Sequence, residues 1–129
     1  MITLNITKTF VLDFCQFAKS RGIVLSSLNG VGLKEALEDE HTEMVSYVLY
    51  ARFYEYVFAK LQDECIGLYR GEQYNLAALG IVGQLIQVSR TLDEALKHCS
   101  DYFNLISNVI QLQVVKTKTE LELVFTASK

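Results

Sequence analysis

Three tyrosines at helical spacing are the residues best suited to binding chemistry in this 129-residue sequence. Tyr47, Tyr50 and Tyr54 are three and four positions apart, so one face of a helix would carry all three rings. A phenol ring combines a large apolar surface with a hydroxyl that donates or accepts a hydrogen bond. Two interpretations stay open: the rings pack in the core with their hydroxyls in water, or they form the wall of a pocket or an interface.

His98 is the fourth candidate for contact with a ligand, because its imidazole can donate, accept or carry charge near neutral pH. The alternative is a histidine that merely flanks a helix and faces solvent. The adjacent Cys99 cannot act as its nucleophile, since neighbouring helical residues point about 100° apart, and we expect Cys99 to be a core residue. The predicted ligand-binding residues are therefore Tyr47, Tyr50, Tyr54 and His98.

Patterns of catalytic and metal-binding residues are absent from the sequence. It contains no glycine-rich phosphate loop, no GxSxG and no HExxH. Cys15, Cys65 and Cys99 are far apart, and no CxxC pair could begin a zinc site. We expect free thiols, buried or half-buried, in a reducing compartment. The sequence predicts no catalytic residue, no metal and no cofactor, so we do not expect an enzyme.

Composition and charge indicate an ordinary globular domain that does not bind nucleic acid by itself. Half of the residues are hydrophobic, and 12 basic residues face 15 acidic ones, for a net charge of −3. This balance lacks the basic excess of an autonomous nucleic-acid-binding protein. No signal-peptide pattern and no apolar run of about 18 residues occurs. We expect residues 1–129 to form a single domain that is cytoplasmic and has no contact with a membrane.

The first third of the chain combines a strand pattern with a helix pattern. Met1–Thr7 alternates between apolar and polar residues, which predicts a strand or a loose tail. From Lys8 the apolar period becomes helical, and the pair Arg21-Gly22 is typical of a helix end. Ile23–Gly32 is predicted to be a loop.

The middle of the chain predicts one long buried helix and one interrupted helix. Thr42 is a reasonable N-cap for a helix that runs to about Gln62 and is apolar nearly all round. Ile66–Leu76 is predicted to be a connection. Ala77–Val88 is predicted to be helical although it contains Gly80 and Gly83, whose missing side chains would let another element approach closely.

The last third predicts a capped helix followed by a hairpin. Thr91 and Glu94 form a capping box at the start of a helix. Ile110–Phe125 alternates on both sides of the polar turn Lys116–Thr119, which predicts two antiparallel strands. The predicted fold class is α+β, with several helices packed against this hairpin. Its free edge would be covered by the N-terminal strand, Ile2–Ile6, or by another chain.

Residues 66–107 carry a resemblance to a known family. They read IGLYRGEQYNLAALGIVGQLIQVSRTLDEALKHCSDYFNLIS. A Gly-Leu element, a Leu-Gly…Gly segment and a Thr-Leu-x-Glu-Ala-Leu helix with an aromatic pair follow one another and precede the hairpin. They are Gly67-Leu68, Leu79-Gly80 with Gly83, Thr91–Leu96 and Tyr102-Phe103. In this order the sequence resembles the N-terminal, arabinose-binding-like sensor domain of AraC-type transcription regulators, over roughly residues 10–126.

The resemblance implies a sensor that binds a small organic effector. The free edge of the hairpin and the exposed tyrosine stripe predict, independently, that the chain forms a homodimer. In that family the sensor domain continues beyond the part seen here and is followed by two helix-turn-helix motifs that bind DNA. The chain resembles only the first part, and we expect no helix-turn-helix domain within it. Family effectors vary, so no ligand contact is transferred to a residue of this sequence. The alternative hypothesis is a protein-interaction module that dimerises without a ligand.

Overall fold

The structure, a computed structural model, describes residues 3–128. Within this range, six α-helices, two 3₁₀ helices and two antiparallel strand pairs confirm the predicted α+β class with a C-terminal hairpin. In chain order the elements are β1 (Asn5–Thr7), α1 (Lys8–Ser20), α2 (Leu33–Glu38), β2 (Met44–Ser46), α3 (Tyr47–Leu61), α4 (Ile66–Glu72), a 3₁₀ helix (Leu76–Leu79), α5 (Ile81–Val88), α6 (Leu92–Tyr102), a second 3₁₀ helix (Phe103–Leu105), β3 (Ile110–Lys116) and β4 (Leu121–Ala127).

The core forms where α1 meets α3. Phe14 and Phe17 of α1 are buried, Phe14 fully, and the Phe14 ring meets that of Phe53 on α3 edge to face at 6.0 Å between centroids. The end of α1 is also confirmed, because Gly22 follows it with a φ of 87°, a left-handed value that favours glycine. The aromatic packing between α1 and α3 therefore sets the position of the tyrosines on α3.

The start of the long middle helix differs from the prediction. Thr42 does not cap it, because residues 44–46 form β2 and α3 begins only at Tyr47. β2 pairs with β1 in antiparallel register, with Ile6 opposite Val45. Both of these side chains are buried. A strand there satisfies the backbone of β1 and buries Val45, which outweighs the local capping signal of Thr42.

β1 also has partners on its second edge. The Thr7 N–H donates to the Ile106 carbonyl at 2.8 Å, and the Asn108 N–H donates to the Asn5 carbonyl at 3.3 Å. The N-terminal strand therefore lies between β2 and the segment that leads into the hairpin.

The expectation that the N-terminal strand extends the hairpin is wrong for the described part of the chain. β3 pairs only with β4 in their sheet, from Ile110 opposite Ala127 to Lys116 opposite Leu121. The reason is that Ile6 is buried in the helical core, which draws β1 to β2 instead. Ile2, at the start of the predicted strand, lies outside the described residues.

The predicted connection after α3 contains a helix. Residues Ile66–Glu72 form α4 despite Gly67 and Gly71. Ile66 is buried in the core, and the Arg70 guanidinium lies 2.7 Å from an Asp13 carboxylate oxygen on α1. These tertiary contacts offset the low helix propensity of the two glycines.

The two glycines of the next segment act differently from each other. Gly80 has a φ of 61° and separates the first 3₁₀ helix from α5, so the helix predicted for Ala77–Val88 is interrupted there. At Gly83 an added Cβ would lie 1.9 Å from the Leu76 carbonyl oxygen. The predicted close approach at this glycine is confirmed.

The capped helix and the hairpin form the last layer. The Glu94 N–H donates to Thr91 Oγ1 at 3.1 Å, which confirms the cap, whereas the Glu94 carboxylate accepts from the Arg90 N–H and not from that of Thr91. α6 lies over β3, where the Ser100 hydroxyl donates to the Leu112 carbonyl at 2.9 Å.

The cysteines are free, as predicted, but they differ in exposure. Cys15 and Cys99 are partly buried, and burial raises the pKa of the Cys15 thiol to about 11. Cys65 is exposed, contrary to expectation, because it precedes α4 at the surface. Over residues 3–128, no helix is long and apolar enough to cross a membrane.

Replacing the cap of α6 tests the helix start. We expect Thr91→Ala to lower the free energy of unfolding by about 1 kcal/mol, because the Glu94 N–H loses its acceptor. The matched control is Thr42→Ala, which removes the same group from an exposed site that caps no helix. Urea melts of both variants measure the effect, and equal midpoints would contradict the cap.

Candidate functional site

A cleft of about 210 Å³ lies where β1, α1 and α3 meet the segment that leads into the hairpin. Its lining comes from seven elements or connections, spread from β1 to β3. The lining residues are Ile6, Phe10, Tyr47, Tyr50, Leu79, Phe103, Ile106, Ser107, Val109 and Ile110. No charged residue is among them, so the cleft is suited to an uncharged ligand.

The base of the cleft is made by the junction of β1 with residues 106–108. Ile6 and Ile106 are buried there, at 5% and 3% exposure. Ser107 is also buried, and its hydroxyl donates to the Asn5 carbonyl at 2.8 Å and accepts from the Val109 N–H at 3.1 Å. The Ser107 hydroxyl is therefore occupied by the fold.

Two of the predicted tyrosines form the wall of the cleft. Tyr50 is 8% exposed, and its ring meets Phe10 edge to face at 6.0 Å and Phe14 at 5.5 Å. Burial raises the pKa of the Tyr50 hydroxyl well above its usual value, so the phenol is neutral. Tyr47 is half-buried, 6.0 Å from Tyr50 between ring centroids. Tyr50 thus belongs both to the core and to the wall.

The third tyrosine lies outside the cleft lining. Tyr54 stacks on Phe58 at 4.3 Å between ring centroids and on Phe14 at 5.3 Å, and it is 37% exposed. Its surroundings match the first interpretation, a packed ring at the edge of the core. Contact between Tyr54 and a ligand stays a prediction.

His98 is also outside the cleft lining. It lies on α6, with Nε2 3.6 Å from a Glu94 carboxylate oxygen and its ring 6.4 Å from that of Tyr102. The structure therefore does not bring His98 together with the tyrosines in the cleft. A ligand contact of His98 stays a prediction.

The sequence did not point to the rest of the lining. Phe103, Val109 and Ile110 also line the cleft, together with Ile106 at its base. In the sequence, Phe103 and Ile106 continue the apolar face of the preceding helix, and Ile110 begins the hairpin pattern. The one usable signal was the density of apolar residues between a capped helix and a hairpin.

The charged groups near the aromatic wall, Arg70 and Asp13, pair with each other and do not line the cleft. Arg70 forms its ion pair with Asp13, and its guanidinium lies 4.7 Å from the centre of the Tyr74 ring. Tyr74 in turn lies 5.9 Å from Phe10 between ring centroids. Burial raises the pKa of the Tyr74 hydroxyl, and the Arg70 charge offsets part of that rise. The cleft wall is therefore supported by a paired charge and not by a free one.

A second hollow, of about 440 Å³, lies between the start of α6 and the hairpin. Its charged side chains are exposed and already have partners: Lys116 pairs with Asp93, and Lys97 pairs with Asp101 at 2.8 Å. Water competes for every such group. The smaller cleft is therefore the better candidate site.

Comparison with known proteins places most of the chain in one family model. The model described as the arabinose-binding domain of AraC transcription regulator, N-terminal, matches residues 24–129. The match includes α3 and the hairpin, whereas Ile6 and Phe10 of the cleft precede it. No curated protein sequence matches the chain.

Removing one side chain tests the junction at the base of the cleft. The Asn5 N–H donates to Asn108 Oδ1 at 2.7 Å, and Asn108 Nδ2 donates to the Thr3 carbonyl at 2.8 Å. We expect Asn108→Ala to lower the free energy of unfolding by about 1–2 kcal/mol, because both bonds are lost. The control is Asn104→Ala, at an exposed site in the preceding 3₁₀ helix. Denaturant melts in which the two variants are equally stable would refute the role of Asn108.

Proposed function

Because the chain belongs to the family of N-terminal arabinose-binding domains of AraC transcription regulators, we propose that it senses a small organic effector and relays the signal to a DNA-binding domain outside this chain. The observation that carries the proposal is the cleft between the helical core and the segment that leads into the hairpin. Apolar clefts with a few polar groups, at the meeting point of separate structural layers, are typical ligand sites.

The position of the cleft supports a mechanism for relaying the signal. A ligand there contacts the core through Phe10 and Tyr50, and the hairpin layer through Val109 and Ile110. An effector that binds one relative arrangement of the two layers more tightly than another shifts the population towards that arrangement. The coupling to DNA binding equals this difference in affinity, expressed as a free energy.

The proposal is binding without catalysis. The nearest approach to a nucleophile beside a base is Cys99 next to His98 on α6. Burial raises the pKa of the Cys99 thiol, which disfavours the thiolate that nucleophilic catalysis requires. Neither residue lines the cleft.

We also propose a homodimer formed through the outer edge of β4. Within residues 3–128, β4 pairs on one side only. Leu123 and Phe125, at 42% and 60% exposure, lie beyond the cover of α6 on the apolar face of the hairpin. Twofold strand pairing would satisfy the edge and cover these side chains. This surface also favours the second candidate function, a dimerisation module without a ligand.

We also propose that this chain does not itself contact DNA, which its net charge of −3 supports. A cytoplasmic location is a further proposal, supported by the proposed role in transcription regulation.

Filling the cleft tests the sensor function. The probes are L-arabinose, L-leucine, benzoate and indole at millimolar concentration, with binding followed by saturation-transfer NMR. We expect at least one to bind, and Val109→Phe to weaken that binding at least about tenfold, because the new ring occupies the cleft. Val115→Phe, the same change at an exposed site of β3, serves as the control and keeps the binding.

Two results would contradict the sensor function. One is the failure of all four probes to bind the unmodified chain. The other is binding that survives in Val109→Phe while circular dichroism shows that the variant is folded.

Placing a charge on the β4 edge tests the dimer. We expect sedimentation at micromolar concentration to give a dimer for the unmodified chain and a monomer for Phe125→Glu, since the charge cannot be buried cheaply between strands. Leu28→Glu, at a site that is 91% exposed in the loop before α2, is the matched control and stays dimeric. A single species of 14.6 kDa for the unmodified chain would exclude the dimer.

A further inference from the structure

We propose that the effector is an uncharged, largely apolar molecule about the size of one or two fused rings, and not a sugar. The inference rests on the proposed function, because it names the ligand class of the same cleft. It follows from the chemistry of the lining, from the volume and from the placement of the nearby charges.

The lining offers very few polar atoms to a ligand. Its side-chain polar groups are the hydroxyls of Tyr47, Tyr50 and Ser107. Ser107 already donates to the Asn5 carbonyl and accepts from the Val109 N–H. Among the side chains, only the two phenols are therefore available, and each is one donor with limited acceptor capacity.

The two available phenol hydroxyls are too few to pair with the oxygens of a pentose. Each carbon of a pentose carries an oxygen, and each buried hydroxyl needs a hydrogen-bond partner to repay the loss of water. A sugar in this cleft would leave most of its oxygens facing Ile6, Ile106 and Ile110. An apolar ligand loses little on leaving water and gains the burial of its surface.

The volume limits the size of the ligand. An apolar cavity of about 150 Å³ is known to hold benzene. The cleft, at about 210 Å³, is somewhat larger, which suits a bicyclic ring such as indole. The aromatic side chains of the lining, which include Phe10, Tyr50 and Phe103, supply the edges and faces that a ring ligand packs against.

The nearby charges do not provide an anchor for an ionised ligand. Arg70, whose guanidinium lies 5.9 Å from the centre of the Phe14 ring beside Tyr50, is neutralised by Asp13 at 2.7 Å. Both side chains are largely buried, and neither lines the cleft. A carboxylate bound in the cleft would therefore lose its water without meeting a free positive charge.

A titration with three matched probes tests the inference. The probes are indole, indole-3-carboxylate and L-arabinose, each added to the unmodified chain and to Val109→Phe, with amide NMR shifts as the readout. We expect indole to bind the unmodified chain at least about tenfold more tightly than either of the other two. We expect the indole-induced shifts to map to Phe103–Ile110 and to be lost in Val109→Phe.

The outcomes separate the inference from the function on which it rests. If L-arabinose or the carboxylate binds most tightly and Val109→Phe abolishes that binding, the sensor function stands and the apolar ligand class is overturned. If none of the three probes shifts the cleft residues, the inference and the site both fail. If indole binds but its shifts persist in Val109→Phe, the cleft is not its site and the inference is overturned.

Discussion

The two-sided hydrogen bonding of β1 is the constraint on which the arrangement of the structure depends. One edge of this three-residue strand pairs with β2, and the other bonds to the segment 106–108. Ile6, in the middle of β1, is buried in the helical core, so the strand is held there while it holds the start of the hairpin. A strand this short is marginal by itself. Its stability comes from having partners on both edges and a buried side chain.

The same constraint explains the character of the cleft. The seam is the junction of β1 with residues 106–108, where the helical core joins the hairpin layer. Its hydrogen bonds use the polar atoms there, including the Ser107 hydroxyl and the backbone groups of Asn5 and Thr7. What remains exposed to the cleft is the apolar side of the residues that make the seam. Buried polar groups that are satisfied within the fold are unavailable to a ligand. The cleft is therefore apolar for a structural reason, although the family model is described as an arabinose-binding domain.

Local signals in the sequence were sufficient for some elements and not for others. The end of α1, the Thr91 cap and the hairpin could be predicted, because each is determined by neighbouring residues. β2 and α4 could not, because their stability comes from distant partners: β1 in one case and Asp13 in the other. The site divides in the same way. Tyr47 and Tyr50 share a helical stripe that is visible in the sequence, whereas Val109 joins them in one cleft only after folding.

Amide hydrogen exchange at the seam tests the central claim that β1 holds the hairpin layer to the core. The Thr7 and Asn108 amides each donate to a backbone carbonyl across the seam. We predict that both exchange as slowly as the amides of Phe14 and Phe53 in the core, because their hydrogen bonds open only when the fold opens. Exchange at Thr7 and Asn108 as fast as in the exposed turn between β3 and β4, while the core stays protected, would contradict it.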